Sequence, residues 1–186
     1  MEIINPEKLL LKVTKILTEL KIDYFITGGY AVSLWGRPRT TADIDIVVKI
    51  IGPKITPLTQ ALRKISKAGY IDEDIAKEAV KKRGEFNFID PDTGLKVDFW
   101  ITKGDKLGQF EFSRKIEKQI DGQKVYFISP ENLILSKLEW YKQTESDRHL
   151  EDIRSILSVS GKKLDLDYLK RAAKDLGSLE ILNKLL

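Results

Sequence analysis

The sequence has no cysteine, a single histidine, a single methionine and no long apolar run. The lack of cysteine excludes a disulfide framework, a thiolate metal site and a cysteine nucleophile. No stretch approaches the ~20 apolar residues that a transmembrane helix needs. The first residues are acidic, and the apolar run behind them is too short and interrupted for a signal peptide. We therefore expect a cytoplasmic protein with no membrane partner.

A block of one charge is missing as well. The chain of 186 residues mixes 28 acidic with 32 basic residues, which leaves a net charge of +4. A mildly basic surface can attract a polyanion, so an RNA partner is compatible with this charge. A nucleic-acid-binding domain without chemistry is less favoured, because its basic residues would be clustered. With 42% hydrophobic residues, the chain can form one domain of ordinary size with a packed core.

Apolar periodicity predicts a mixed α/β region followed by helices. Helices are expected over 6–21, 30–36, 58–70 and 71–84, with a turn bracketed by Pro53 and Pro57. Strands are expected over 23–27 and 40–50, and a hairpin is expected to pair 86–90 with 95–101. The stretch 104–130 is expected to consist of loop and strand, with a turn at Asp121–Gly122 that joins two strands. From Ser129, a helix cap followed by Pro130, the pattern is helical. We predict an α+β fold with a domain at 1–128 and a helical region at 129–186 packed on it.

Two acidic residues lie two positions apart on the strand predicted at 40–50. Alternate residues of a strand point to the same face, roughly 7 Å apart, so the carboxylates of Asp43 and Asp45 project together. Ile44, Ile46 and Val48 then face the core. Two neighbouring negative charges repel each other, and carboxylate oxygens suit Mg²⁺. A D-x-D triplet alone is more often a solvated strand face, so the flanking residues decide between the two interpretations.

The flanking residues favour phosphate binding. Gly28 and Gly29 follow a strand and open a helix, where backbone N–H groups can approach a phosphate. By itself this pair would be interpreted as a tight turn. Arg37, Arg39 and Thr41 precede the acidic strand, and guanidinium and hydroxyl groups bind phosphate oxygens well.

The order of these features resembles the nucleotidyltransferase superfamily, which has the polymerase-β-like fold. The signature of that superfamily is a Gly-Gly or Gly-Ser pair followed, about a dozen residues later, by Asp-hydrophobic-Asp. The segment 25–48 is most similar to the minimal nucleotidyltransferases and the abortive-infection toxin-type transferases. The matching positions are Gly28, Gly29, Ala31, Gly36, Arg39, Thr41, Asp43 and Asp45. Many members have a serine after the first glycine; this chain has Gly29 there, and the Tyr30 that follows cannot replace the contact of that serine with the phosphate.

The resemblance implies a third carboxylate from a later strand. Asp98 lies in the apolar strand LKVDFWI, and an aspartate there is unfavourable unless it is paired or metal-bound. Its side chain is expected on the face opposite to Val97 and Phe99. Asp90 and Asp92 belong to a turn, where aspartate is common for conformational reasons. Asp98 is therefore the better candidate.

The helical segment 129–157 also resembles the region that follows the catalytic domain in this branch. Lys137 is a candidate contact to the nucleotide phosphates, with Asp147, Arg148 and Asp152 in support, although a solvated lysine is nearly as good an interpretation. Arg148 and Asp152 are expected to form a surface ion pair. His149 is expected to be exposed. The aromatic residues that could stack on a base are expected in the core: Trp35, Trp100, Trp140 and Tyr141.

The resemblance implies a transferase that moves a nucleoside monophosphate from a nucleoside triphosphate such as ATP to a hydroxyl acceptor. The acceptor would belong to RNA or tRNA, a protein or a small molecule. Asp43, Asp45 and Asp98 would bind two Mg²⁺ ions, with Mn²⁺ as a substitute. The alternative is a catalytically weak nucleotide- or partner-binding module, such as a toxin–antitoxin component. A partner protein or a homo-oligomer fits either interpretation.

Overall fold

The computed structural model describes residues 6–66, 68–91 and 94–186. The helices of this part are α1 (Pro6–Glu19), α2 (Gly28–Trp35), α3 (Ile55–Arg63), α4 (Glu73–Lys82), α5 (Lys106–Ser113), α6 (Pro130–Thr144), α7 (Asp147–Ser160), α8 (Leu166–Asp175) and α9 (Leu179–Asn183). The strands are β1 (Asp23–Ile26), β2 (Asp43–Lys49), β3 (Glu85–Asp90), β4 (Leu95–Ile101), β5 (Ile116–Ile120) and β6 (Gln123–Phe127). Single turns of 3₁₀ helix lie at Gly52–Lys54 and Gly161–Lys163.

The strands form one sheet in the order β3-β4-β2-β1-β6-β5. β2 is antiparallel to β1 and parallel to β4, so the sheet is mixed. The apolar face of β2 consists of Ile44, Ile46 and Val48, which are fully buried in a core shared with α1 and α6. This architecture confirms the predicted α+β class.

Both predicted hairpins are present. β3 and β4 pair antiparallel, with Asp90 opposite Leu95, while Asp92 of the connecting turn lies outside the described residues. β5 and β6 are joined by Asp121 and Gly122, which have φ of 47° and 77°. Two consecutive positive φ values match the tight turns that suit the twist of a β-hairpin, and an Asp-Gly pair is typical of them.

The predicted boundaries of α3 are wrong at both ends. Pro57 does not close a turn but lies in the first helical turn, where a backbone N–H has no partner to lose. The helix ends at Arg63 and not at Gly69, because Tyr70 joins the edge of the sheet. The Tyr70 N–H donates to the Ile89 carbonyl over 2.9 Å, and the reverse bond has the same length.

The segment predicted as loop and strand over 104–130 contains a helix, α5. Its start is capped by Asp105, whose carboxylate accepts from the Gly108 N–H at 2.8 Å. The interior glycine and the alternating phenylalanines Phe110 and Phe112 concealed the helical period. The N-cap aspartate was the available signal, because it satisfies an N–H of the first turn.

From Ser129 onwards the chain is helical, as predicted, and the Ser129 hydroxyl caps α6 by accepting from the Asn132 N–H at 3.2 Å. α7 lies against the end of α2, where the Arg37 N–H donates to the Ser155 hydroxyl at 2.7 Å. The domain boundary at residue 128 stays a prediction. Across the three described ranges, every helix is too short or too polar to span a bilayer.

Candidate functional site: a cleft between an acidic strand and helix α6

Asp43 and Asp45 lie on one face of β2, as the alternation predicted. Both side chains are half-buried, while the residues between and after them are in the core. The Asp43 carboxylate accepts a hydrogen bond of 2.7 Å from the Thr41 hydroxyl. The Asp45 carboxylate accepts one of 3.3 Å from the indole N–H of Trp100. The two acids are therefore oriented by neighbouring donors.

Asp98 is the neighbour of Asp45 on the adjacent strand. The parallel register of β2 and β4 sets Asp98 opposite Asp45 and Lys96 opposite Asp43. Val97 and Phe99 are fully buried, as expected. The Asp98 carboxylate, however, is paired with the Lys96 ammonium at 2.8 Å. Sequence reasoning missed this lysine, although its spacing of two from Asp98 on a strand places both side chains on one face.

The glycine pair fits closely around these acids. Gly28 has φ of +60°, and a Cβ on it would lie 1.8 Å from Oδ2 of Asp45. A Cβ on Gly29 would lie 2.4 Å from the Thr41 hydroxyl oxygen. Only glycine allows β2 to approach the N-terminus of α2 so closely. We call Gly28, Asp43 and Asp45, with Lys96 and Asp98 on β4, the sheet wall.

The sheet wall has more negative charge than the protein neutralises. Burial raises the pKa of Asp45, and the nearby charges of Asp43 and Asp98 raise it further, against the opposing effects of Trp100 and Lys137. Hydrogen bonding to Asp98, chiefly, raises the pKa of Lys96. In the described ranges, no group of three or more His, Asp or Glu side chains is arranged to hold a metal ion. The three-carboxylate metal site therefore stays a prediction.

Opposite the acids lie two cations held by one buried carboxylate. The Lys137 ammonium on α6 is 2.9 Å from Oδ2 of Asp152 on α7, and Nε of Arg39 is 3.0 Å from its Oδ1. The side chain of Asp152 is only 4% exposed and that of Lys137 only 11%. The expected surface pair of Arg148 with Asp152 is thus wrong, since Asp152 faces inward to bind Arg39 and Lys137. Lys137 is likewise not a solvated lysine.

The cleft between these elements has a narrow and a wide part. The narrow part, about 400 Å³, contains most of the predicted phosphate contacts: Gly28, Gly29, Arg39, Thr41 and Lys137 line it. The predicted contact Arg37 is exposed and lies outside the lining of both parts. Arg148 lines the narrow part as well, whereas Asp147 is an exposed residue at the start of α7.

The wide part, about 590 Å³, is lined by residues that were expected elsewhere. Trp100 and Trp140 were assigned to the core, yet both line this cavity, and Trp140 is 40% exposed. His149 was expected to be exposed but is half-buried and borders both parts of the cleft. Trp140 lies three residues after Lys137, a spacing that puts both on one face of α6 and could have revealed it. We call Lys137, Trp140 and His149, with Asp152 behind them, the helical wall.

The other two aromatic residues of the prediction are half-buried outside this cleft. The Trp35 indole N–H donates to the Ile128 carbonyl at 2.9 Å, and the ring packs against the core, which agrees with its prediction. Tyr141 is half-buried beside the exposed Trp140.

An unpredicted acid completes the cavity. Glu111 on α5 lines the wide part, and burial, with a smaller effect of Asp105, raises the pKa of its carboxyl to about 7. Because α5 itself was missed, this residue could not be assigned to the cleft from the sequence. The lining of the wide part thus combines the acids Asp105, Glu111 and Glu139 with the aromatic rings of Trp100 and Trp140.

Comparisons with known proteins agree with this architecture. The structure of ANT(2″)-Ia in complex with adenylyl-2″-tobramycin is similar, with a TM-score of 0.60 and 16% identity over 92% of this chain and 97% of that one. Lincomycin-bound LnuA, a lincosamide antibiotic adenylyltransferase, has a TM-score of 0.55 and 17% identity, and 82% and 97% of the two chains are covered. An antigenic nucleotidyltransferase-like protein from Paracoccidioides brasiliensis has a TM-score of 0.57 and 22% identity over 96% of this chain and 90% of that one.

These identities establish a shared fold only. A search among curated proteins gave no significant match. The model of the family described as nucleotidyl transferase AbiEii toxin, type IV toxin–antitoxin system, matches residues 14–178, which is most of the chain. That range contains both walls of the cleft, including the glycine pair, the acidic strand and the helices that follow. This chain therefore belongs to the AbiEii nucleotidyltransferase toxin family.

Proposed function

We propose that the chain moves a nucleoside monophosphate from a nucleoside triphosphate to a hydroxyl acceptor, with a divalent metal ion at the sheet wall. The observation that carries this proposal is the placement of Asp43 and Asp45 beside the glycine-opened N-terminus of α2, facing Lys137 across one cleft. Acids that suit a cation and donors that suit phosphate oxygens occur within the same 400 Å³. Family membership supports nucleotidyl transfer in general; the metal, the nucleotide and the residue roles belong to this proposal.

The side chains of the sheet wall fit Mg²⁺ or Mn²⁺. Asp43 and Asp45 would hold the ion, with Asp98 contributing once Lys96 moves away from its carboxylate. Mg²⁺ needs one or two carboxylates, and water and phosphate oxygens complete its shell. Burial, and then the neighbouring charge of Asp43, raises the pKa of Asp45, so a bound cation would stabilise the charged form of this carboxyl. When bound, the ion neutralises the triphosphate and makes the acceptor hydroxyl more acidic.

The chain's own groups then position the substrate. Lys137 and Arg39 would contact phosphate oxygens, while Asp152 keeps both cations at the edge of the cleft. The N–H groups at the start of α2 point to the same place, where the helix dipole favours an anion. The Trp100 indole donates to Oδ1 of Asp45, and Oδ2 lies close to Gly28, so the orientation of this carboxylate is fixed. Such positioning supplies much of the rate enhancement in phosphoryl transfer.

The acceptor is proposed as a class of molecule with a free hydroxyl group. ANT(2″)-Ia was crystallised with adenylyl-tobramycin and LnuA with lincomycin, so related folds bind small acceptors. We propose a hydroxyl of RNA or tRNA, of a protein or of a small molecule, with ATP as the first nucleotide to test. Nucleoside triphosphates and Mg²⁺ are cytoplasmic, so we place the reaction there. As a family member, the chain would act as the toxin of a toxin–antitoxin pair.

Labelled nucleotides test the proposal directly. The protein is incubated with Mg²⁺, total cell RNA or protein, and each nucleoside triphosphate labelled with ³²P at the α or the γ position. We expect label from the α position in one acceptor pool and none from the γ position, with release of pyrophosphate. Label from the γ position alone would mean a kinase and would overturn the proposal. The variant Asp45→Asn serves as the inactive control.

A second candidate, a binding module with weak catalysis, is favoured by the Lys96–Asp98 pair, which occupies the third carboxylate. Such a module would still bind a nucleoside triphosphate with Mg²⁺. Ligand binding raises the melting temperature, because it stabilises only the folded state. A Mg²⁺-dependent rise without any transfer of α-label would therefore favour the module over the enzyme.

A further inference from the structure

The helical wall carries an aromatic surface beside the predicted phosphate site. The planes of the Trp140 indole and the His149 imidazole are nearly parallel, at 21°, with ring centres 6.4 Å apart. Trp100 meets the same indole edge-on at 5.9 Å. Trp140 remains 40% exposed despite these contacts. A large aromatic ring that is braced by two others and still faces a cavity is available to stack on a ligand.

His149 adds a polar atom to this surface. Its Nδ1 is buried and has no hydrogen-bond partner in the part of the chain that the structure describes. Burial and the charge of Lys137 lower the pKa of its imidazole, so the ring is neutral at pH 7. A buried nitrogen without a partner is unfavourable unless a ligand or water completes its bonding. The histidine therefore points to a ligand with hydrogen-bonding groups as well as a flat face.

The position of the surface limits what that ligand can be. Trp140 lies one helical turn from Lys137 on α6, and the two residues line the same cavity. Asp105 and Glu111, which belong to α5 and its N-cap, also line the cavity, and carboxylates there disfavour phosphate groups. A triphosphate held at Lys137 would thus direct its nucleoside along α6 towards Trp140.

We propose that Trp140, braced by His149 and Trp100, is the surface on which the base of the nucleoside triphosphate stacks. This proposal rests on the proposed function and adds to it the location of the base. Stacking on an aromatic face tolerates every base, since each base has a π-face. Trp140 should consequently contribute to affinity for all four nucleoside triphosphates.

The test separates the base from the phosphates. Affinities for ATP, CTP, GTP, UTP and inorganic tripolyphosphate, each with Mg²⁺, are measured by calorimetry for the wild type, Trp140→Leu and Trp140→Phe. We expect Trp140→Leu to weaken nucleotide binding by roughly tenfold or more, with unchanged tripolyphosphate affinity, while Trp140→Phe retains most of the binding. Phe110→Leu is the matched control, because Phe110 is 39% exposed and lies outside the lining of the cleft.

Three other results would contradict the proposals. Unchanged nucleotide affinity in Trp140→Leu would overturn the stacking surface and leave the proposed function intact. An equal loss of affinity for nucleotide and for tripolyphosphate would show that Trp140 only supports Lys137. That result would also overturn the stacking surface. Absence of nucleotide binding by the wild type would overturn the proposed function together with this inference.

Discussion

The two walls of the cleft are built in different ways. The sheet wall comes mainly from one stretch of chain, in which Gly28, Asp43 and Asp45 lie within 18 residues, and β4 adds its two side chains through regular strand pairing. The helical wall depends on packing between α6 and α7, which brings Lys137 to Asp152, and Asp152 also binds Arg39 from the loop before β2. The sheet wall has surplus negative charge, whereas Lys137 and Arg39 share a buried counter-ion.

The difference indicates a division of labour. Local strand geometry fixes carboxylates at a set spacing, which suits a cation that tolerates few arrangements. A buried ion cluster between helices holds two cations at the edge of the cleft, where they can contact a flexible triphosphate. We therefore expect substitutions of Asp43 and Asp45 to reduce activity with little loss of stability, and substitutions in the buried ion cluster beside the helical wall to reduce both.

The largest effect on activity is expected for Asp45→Asn. Nucleotidyl transfer should fall by ~10²-fold or more, because the charge that would hold the proposed metal ion is lost while the hydrogen bond from Trp100 can persist. The measurement is the initial rate of α-label transfer. Asp74→Asn is the control, since the Asp74 side chain is 97% exposed and far from the cleft lining.

The stability of the same variant sharpens the comparison. Because the pKa of Asp45 is raised in the folded state, ionisation of this group destabilises the wild type above the pKa of the unfolded chain. Asparagine does not ionise, so at pH 7 and without metal Asp45→Asn should unfold at an equal or higher urea concentration. The advantage should vanish below about pH 4. A large loss of stability at pH 7 would instead make Asp45 a structural residue.

A second substitution tests the close fit of the sheet wall. Gly28→Ala should reduce transfer by roughly 10²-fold, because the new Cβ would displace the Asp45 carboxylate from its position. Gly122→Ala is the matched control: φ is +77° there, but a Cβ meets nothing within 4 Å. Both variants carry the strain of a left-handed residue, about 1–2 kcal/mol. Equal activity of the two variants would contradict the claim that Gly28 positions Asp45.

The same contrast between local and long-range structure separates what the sequence could predict from what it could not. The alternating pattern of β2, the glycine pair and the two aspartates are local features of the sequence. The strand, the start of α2 and the acidic face of β2 could therefore be predicted. The resemblance implied a third carboxylate from a later strand, and Asp98 does lie opposite Asp45. Asp98 was preferred to Asp90 and Asp92 because an aspartate between two apolar residues of a strand is unfavourable unless it is paired or bound. The predicted C-terminal end of α3 was wrong because Tyr70 pairs with the sheet, a contact that the local sequence pattern does not contain.

Residues of the helical wall were misplaced for the same reason. Asp152 pairs with Lys137 and with Arg39, and Arg39 lies 113 residues away in the sequence. Local spacing therefore favoured Arg148 as the partner of Asp152. Trp140 and His149 face a cavity that exists only once α6, α7 and the sheet are assembled. Glu111 was lost with α5, whose single glycine and spaced phenylalanines hid its period.

The helical wall is tested by Asp152→Asn. This change leaves Lys137 and Arg39 without their buried counter-charge, so we expect a loss of about 3 kcal/mol in the free energy of unfolding. Urea denaturation measures it. Glu78→Gln is the control, because its pairs with Lys81 and Lys82 are exposed and should change stability by less than about 1 kcal/mol. Equal effects of the two changes would contradict the buried cluster.

The smallest effect concerns Glu111, an acid of the cleft outside both walls. Its pKa is raised to about 7, so the wild type should lose stability as the pH rises from about 4.5 to 7. Glu111→Gln does not titrate and should be more stable than the wild type at pH 8, by up to roughly 2 kcal/mol, but not at pH 4.5. Thermal unfolding at both pH values measures this difference. A constant difference between the proteins would contradict the raised pKa.

The central proposal is that Asp43 and Asp45 bind a metal ion to which the helical wall contributes no ligand. Calorimetric titration with Mn²⁺, in the absence of nucleotide, tests this claim most directly. Lys137→Met should bind Mn²⁺ at least as tightly as the wild type, because it removes a positive charge near Asp45 and no proposed ligand, while Asp43→Asn with Asp45→Asn should abolish binding. Lys96→Met, which frees Asp98, should bind at least as tightly as the wild type. Equal Mn²⁺ affinity in the double aspartate variant would contradict the account.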